Sequence, residues 1–224
     1  MKVLDKGYVN LVSHMGDDRT IVNAARVSFN KQVSELSEKD EKLIKYLYTN
    51  KHTSPFEHVT FTFEVKCPLF VARQWMRHRT WSYNEISRRY TDENIEFYIP
   101  THLRKQADSD RQASTDETLR MIRGVQGYPL EYVDFVLDEV SHYAERMYYR
   151  LLEDGVAREQ ARMVLPQSMY TTFYATVNLH NLFHFLRLRN SEHAQYEIRL
   201  YADALEQLIR EVVPIFYRVY RGET

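Results

Sequence analysis

Val59-Thr60-Phe61-Thr62-Phe63-Glu64-Val65-Lys66 alternates apolar and polar residues over its whole length, the period-two pattern of a strand with one buried face. Pro68 follows where a first helical turn tolerates proline, and Val71, Ala72, Trp75 and Met76 form one apolar stripe of a helix ending near Arg79. Arg73, Gln74, Arg77 and His78 fall on the opposite face. Farther out, Pro129 opens a long amphipathic helix with Tyr132, Val133, Phe135, Val136, Val140, Tyr143, Ala144, Met147 and Leu151 on its stripe and Gly155 suited to its C-terminal cap. Tyr170 to Val177 is rich in β-branched and aromatic residues and reads as a second strand, with helix the competing reading for so short a run. Leu179, Leu182, Phe183 and Leu186 give a short helix after it. The last helix carries Ala194, Ile198, Tyr201, Leu205, Leu208 and Val212 and stops at Pro214. Strands and helices therefore mix, and the expected class is α+β, an antiparallel-type sheet packed with long helices. The region from about Lys105 to Gly127 is polar and without sustained periodicity, so it reads as a mobile surface excursion within one domain spanning 1–224.

Composition narrows the function classes. A 44% hydrophobic and 13% aromatic content can supply a real core. Thirty Lys plus Arg nearly cancel 31 Asp plus Glu, so the surface as a whole carries no field to hold nucleic acid or an anionic membrane. One cysteine, Cys67, cannot form an internal disulfide, and the N-terminus shows no signal-peptide pattern. No apolar run approaches the roughly 20 residues that span a bilayer. A soluble cytoplasmic protein is expected.

Charge is nevertheless concentrated locally. From Arg73 to Arg89 there are five arginines and one acid, Glu85, a balance of +4 (five minus one) inside a chain whose total is −1. Arginine's planar fork donates paired hydrogen bonds to phosphate or carboxylate, and with Gln74, His78, Ser82, Asn84 and Ser87 the cluster suits a phosphorylated ligand. The competing reading is a solvated helix face with surface ion pairs.

The order of these residues is more telling than their composition. Arg77-His78-Arg79, seven intervening residues and then Ser87 resembles the R-H-R-x7-S signature of flavin-dependent thymidylate synthases. The resemblance continues at Ala24-Ala25-Arg26-Val27-Ser28, Ser54-Pro55-Phe56-Glu57-His58, Glu96-Phe97-Tyr98-Ile99-Pro100, Ala161-Arg162-Met163-Val164-Leu165-Pro166, Leu188-Arg189 and Ser191-Glu192-His193-Ala194-Gln195. It implies a homotetramer with active sites shared between subunits, making dTMP from dUMP with methylenetetrahydrofolate as carbon donor, NADPH as electron source and FAD as cofactor. It also implies FAD contacts from Ser54, Arg77, His78, Arg79, Glu85 and Asn178, with His180 and His184 standing where arginine and asparagine are frequent. For dUMP it implies Gln74, Arg77, Ser87, Arg89, Arg162 and Arg189, and the adjoining Trp75, Met76, Glu85, Ile86 and Arg88.

The residue chemistry is compatible with that implication. With six glycines, and Gly124 and Gly127 in no strand-to-helix context, no Rossmann unit is present, so arginines and side-chain donors must hold the phosphates. A guanidinium beside uracil would stabilise negative charge developing on the ring, the role expected of Arg189. Ser87 could attack C6, but a serine hydroxyl needs a base and none is identified, so binding and polarisation are preferred. His180 and His184 lie four apart with Asn181 where a zincin has glutamate, so no metal site is expected. The leading alternative from another class is an RNA- or nucleotide-binding module using the Arg73–Arg89 cluster with Trp81, Tyr83 and Tyr90 as stacking platforms.

Overall fold

The structure, a computed structural model, describes residues 1–108, 114–124 and 129–223. In chain order its elements are β1 (Lys2–Val3), β2 (Gly7–Met15), α1 (Asp18–Arg26), α2 (Glu38–Thr49), β3 (Thr60–Pro68), α3 (Leu69–Trp75) and β4 (Ser82–Glu85). There follow β5 (Leu103–Gln106), β6 (Ser114–Leu119), β7 (Met121–Arg123), β8 (Leu130–Tyr132), α4 (Val133–Glu153), α5 (Arg158–Ala161), β9 (Tyr170–Asn178), α6 (Leu179–Arg189), α7 (Tyr196–Arg210) and α8 (Pro214–Arg221).

The alternating stretch is the middle of an antiparallel sheet ordered β1-β2-β3-β9-β4. β3 and β9 pair without a bulge from Thr60 opposite Asn178 to Pro68 opposite Tyr170. Phe61, Phe63, Val65 and Cys67 are fully buried, as a half-buried strand's apolar face must be. Pro68, lacking an N–H, comes last in the strand, where no further ladder bond is demanded of it. The class expected from sequence is the class observed: an antiparallel sheet with helices against it.

Two helices flow directly out of the β3–β9 pair, from opposite ends. α3 leaves β3 at the Tyr170 end and α6 leaves β9 at the Thr60 end, and both fold back to meet at an aromatic cluster. There Trp75 packs against Phe173 at 5.6 Å, Phe185 at 4.8 Å, Trp81 at 5.8 Å and Tyr201 at 6.1 Å between ring centroids. Tyr201 in turn donates to the Lys66 carbonyl at 2.8 Å. A Cβ on Gly7 would lie 2.0 Å from that tyrosine oxygen and 2.8 Å from the same carbonyl, so the close approach requires glycine.

Several expectations need correction. The helix after Pro68 stops at Trp75, not near Arg79, because its last carbonyls are taken by other groups. The Tyr83 hydroxyl lies 3.1 Å and 3.0 Å from the Trp75 and His78 carbonyl oxygens, and Arg189 donates to that of Gln74. The described parts of the polar region after Lys105 include two antiparallel strand pairs, β5–β6 and β7–β8, whose residues are mostly exposed and so carry little apolar periodicity. Gly127 lies outside the described residues. The long helix begins at Val133, since Leu130–Tyr132 pair as a strand, and of its stripe Phe135, Val140 and Tyr143 are exposed. The chain is also helical again beyond Pro214, which occupies a tolerated first-turn position in α8.

α8 is anchored from the far end of the chain. Asp18, 3% exposed, accepts from the backbone N–H groups of Ile215 at 2.8 Å and Phe216 at 2.9 Å, capping the helix across the fold. Burial raises its pKa to about 6 against these two bonds, with Asp17 adding to the rise and Arg218 opposing it. A carboxyl whose folded pKa is raised stabilises the fold fully below its unfolded value, and that contribution is lost as pH rises through about 6. Asp18→Asn keeps a carbonyl acceptor but cannot ionise. The melting temperature of Asp18→Asn minus that of wild type should therefore climb between about pH 4 and pH 7; a flat or falling difference would contradict this account.

Candidate active site

The cluster that sequence singled out is divided by the fold into two groups of side chains. The first lies where α3 and α6 meet. Arg189, half-buried at the end of α6, donates from Nε to His78 Nε2 at 3.1 Å and from Nη2 to the Gln74 carbonyl at 3.1 Å. Two of its five N–H groups are thus held, leaving three without protein acceptors among the described residues. Gln74 Nε2 reaches Gln195 Oε1, just ahead of α7. Arg73, Arg77 and Arg79 are exposed nearby and pair with no acid among the described residues, unlike ordinary surface arginines in ion pairs.

His78 is 8% exposed, with its ring 4.8 Å from Phe185 and 6.0 Å from His184. Burial, then the Arg189 charge and then His184, lower its pKa to about 4. A guanidinium only donates, so Nε2 must accept and the neutral ring's proton sits on Nδ1. His78, expected as an FAD contact, thus has one ring nitrogen committed to orienting Arg189.

The second group follows β4. Ser87, half-buried, accepts at Oγ from the Arg89 N–H at 3.3 Å, and Arg89 faces Glu159 at 3.9 Å. Arg162 donates to the Glu159 carbonyl at 3.3 Å, so Ser87, Arg89 and Arg162 converge around the start of α5. Glu85 accepts from Thr171 Oγ1 at 2.6 Å and Ile86 donates its N–H to the Thr172 carbonyl at 2.9 Å, tying this segment to β9. No hydrogen bond or ion pair among the described residues joins the first group to the second.

The third region is a cleft of about 590 Å³ beside His180 and His184. Its floor is aromatic, from Phe56, Phe183, Phe216 and Tyr220, and its rim carries Lys51, His52 and Arg187. Ser54 opens the adjoining 3-10 turn, and Asn178 caps α6 by accepting from Asn181 N–H at 3.0 Å. An apolar floor with cationic edges suits an aromatic ring system bearing phosphates, so the residues present fit a flavin nucleotide. His52, Arg187, Phe216 and Tyr220 escaped the sequence reading because they come from segments that only the fold brings together. Gln195 lay within a recognised motif, yet no sequence signal linked it to Gln74.

Two residues expected as substrate contacts have buried side chains. The Trp75 indole is fully buried on the apolar stripe of α3, and Arg88, 7% exposed, turns its guanidinium onto backbone carbonyls of its own loop. Met76 packs half-buried against the core. Trp81, offered as a stacking platform for RNA, is also buried, against Trp75 and Phe185. Burial and the Glu85 charge push the Cys67 thiol up, well above its ordinary value, leaving an inert core side chain. Among the described residues no group of three His, Cys, Asp or Glu is arranged to hold a metal ion.

Comparison with known proteins bears directly on this arrangement. The family model for thymidylate synthase complementing protein matches residues 10–215. A flavin-dependent thymidylate synthase of Thermus thermophilus is 50% identical over 223 residues, covering 97% of this chain and 77% of that protein. The chain belongs to the flavin-dependent thymidylate synthase family. Another member, from Thermosipho melanesiensis, is 47% identical over 230 residues, covering 99% of this chain and 96% of that one. Among solved structures, the UMP/dUMP methylase PolB from Streptomyces cacaoi bound with 5-Br dUMP has a TM-score of 0.82 and 34% identity, covering 99% of this chain and 97% of that chain. Membership of the flavin-dependent thymidylate synthase family removes the RNA-binding module as the leading alternative and agrees with the burial of Trp81.

The His78–Arg189 arrangement makes a spectroscopic prediction. At pH 7 the His78 imidazole, assigned by its loss in His78→Gln, should give nitrogen shifts of a neutral Nδ1–H tautomer and titrate with a midpoint near 4. A midpoint near 6.5, the ordinary histidine value, would break the proposed pairing.

Proposed function

We propose that the chain makes dTMP from dUMP by reductive methylation, with methylenetetrahydrofolate as carbon donor, FAD as cofactor and NADPH as the source of electrons. The observation that carries this reading is Arg189: a charged group fixed by a neutral histidine and a backbone carbonyl, with its remaining donors unpaired among the described residues. Bound FAD supplies the hydride. The chain's own residues bind and polarise. Arg189, kept charged at neutral pH although burial lowers its pKa, stabilises the negative charge that builds on the uracil ring as C5 becomes nucleophilic. Because His78 already holds the guanidinium, little reorganisation is needed when that charge develops. Gln74 and Arg77 bind the same nucleotide from this side, and Arg89 and Arg162 supply cationic donors for its phosphate. Ser87 binds and polarises dUMP. No His, Asp or Glu is hydrogen-bonded to its Oγ among the described residues, which supports this role over a nucleophilic one.

That no hydrogen bond or ion pair among the described residues joins the Arg189 group to the Ser87 group supports sites completed by a second copy, within a homotetramer. Exposed Phe135, Val140 and Tyr143 on α4, with Leu130 and Tyr132 beside them, offer apolar surface for such contacts. Among the described residues no helix is long and apolar enough to cross a membrane. The proposed place of action is the cytoplasm.

Two variants test the reading together. Arg189→Ala should retain FAD and lose on the order of 10²-fold in dTMP formation, the scale of losing one electrostatic stabiliser. Mixing it with Ser87→Ala chains under confirmed exchange should restore roughly a quarter of wild-type activity, because about half the pairs are mixed and one of two sites in each is intact. Near-normal turnover by Arg189→Ala would overturn the assignment, and absence of rescue despite exchange would overturn the shared site.

A further inference from the structure

The loop from Ser87 to Asn94 carries two candidate nucleotide contacts, Ser87 and Arg89, on either side of an arginine that faces the other way. Arg88 is buried while the Arg89 side chain is about half exposed, 52%. Arg88 Nη1 donates to the Glu93 carbonyl at 2.5 Å and Nη2 to the Asn94 carbonyl at 3.3 Å. It forms no ion pair among the described residues, and burial lowers its pKa, opposed by the nearby Tyr148, Tyr149 and Asp92. Asn94 bends the chain in the left-handed region, with φ of 54°. The near end is a turn in which Tyr90 and Thr91 donate to the Ser87 carbonyl at 3.0 Å and 3.2 Å. The outer side is pinned to α4 and α5 by Tyr149 on the Asp92 carbonyl at 2.9 Å and by Arg158 on the Asp92 carboxylate at 2.8 Å.

A buried guanidinium is a costly way to fill space, since apolar side chains of similar volume do so without desolvating a charge. What arginine supplies here is a rigid fork that grips two successive carbonyls at once. The grip closes the loop on itself and fixes the backbone between Arg88 and Asn94. Of its immediate neighbours, Arg89 is exposed and faces Glu159, whose carbonyl accepts from Arg162, and Ser87 accepts at Oγ from the Arg89 N–H. We propose that Arg88 is a positioning residue that presents Ser87 and Arg89 to the nucleotide by stapling their loop, and does not touch substrate itself. This rests on the reading that dUMP binds at Ser87 and Arg89.

The test uses the full chain and measures dUMP and FAD affinity separately for wild type, Arg88→Met, Arg88→Lys, Arg89→Ala and the double variant Arg88→Met with Arg89→Ala. Arg88→Met should weaken dUMP about tenfold while FAD affinity stays within about twofold, and Arg88→Lys should recover part of the loss. In the Arg89→Ala background the further loss from Arg88→Met should shrink to well below tenfold, because the share of the staple's effect that acts through Arg89 is already removed and only the share through Ser87 remains. If Arg88→Met does not fold, Arg88→Lys alone must still weaken dUMP and spare FAD. Unchanged dUMP affinity, fully multiplicative losses in the double variant, or parallel loss of FAD would each overturn the inference. A wild-type chain that binds FAD but not dUMP would overturn the underlying reading and the inference with it; normal wild-type binding beside unaffected variants would overturn the inference alone.

Discussion

The unbroken pairing of β3 with β9 is the constraint on which the remaining structure depends. Nine consecutive residues of each strand are in register. Each strand passes straight into a helix, and because the strands are antiparallel the helices start at opposite ends of the ladder. α3 and α6 must therefore run back toward each other, at about 1.5 Å per residue, and their C-terminal ends meet over the sheet. That meeting brings Gln74 and His78 to Arg189, more than a hundred residues away in sequence. A one-residue slip in the ladder would turn Phe61, Phe63 and Val65 out of the core and separate these groups.

Burial then decides the electrostatics. The aromatic cluster around Trp75 keeps water from one side of His78, so the imidazole stays neutral and serves as an acceptor. A protonated histidine in that position would repel Arg189 and could not accept its hydrogen bond. Arg189 is itself half-buried, and a charge short of full solvent interacts more strongly with a developing anion than it would in water. Core packing and charge placement are here one arrangement.

Much of the fold was legible because its central elements are strongly periodic. The alternation from Val59 to Lys66, the β-branched run of Tyr170 to Val177 and the stripes of α6 and α7 all appear as elements close to the expected bounds. Three things were not legible. β2, α1 and α2 attracted no reading, and α2's weak stripe mixes buried Ile44 and Leu47 with exposed Tyr46. The strand pairs of β5 to β8 are mostly exposed, so alternation leaves little mark. The third is side-chain direction. Sequence placed Ser87, Arg88 and Arg89 together as nucleotide contacts, but only coordinates separate an arginine turned inward from neighbours turned outward. Likewise the motif order offered His78 and Arg189 as candidate site residues without revealing that one holds the other.

In the proposed site Arg189, held by neutral His78, meets the uracil ring, and Ser87, Arg89 and Arg162 come from another copy of the chain. A crystal structure of the chain with FAD and dUMP tests it most directly. The expected result is the Arg189 guanidinium within hydrogen-bond distance of a uracil oxygen, its Nε still on His78 Nε2, and the phosphate held by Arg89 and Arg162 of a second chain. A nucleotide bound entirely by one chain, or an Arg189 that leaves His78 and points away from the ring, would contradict it.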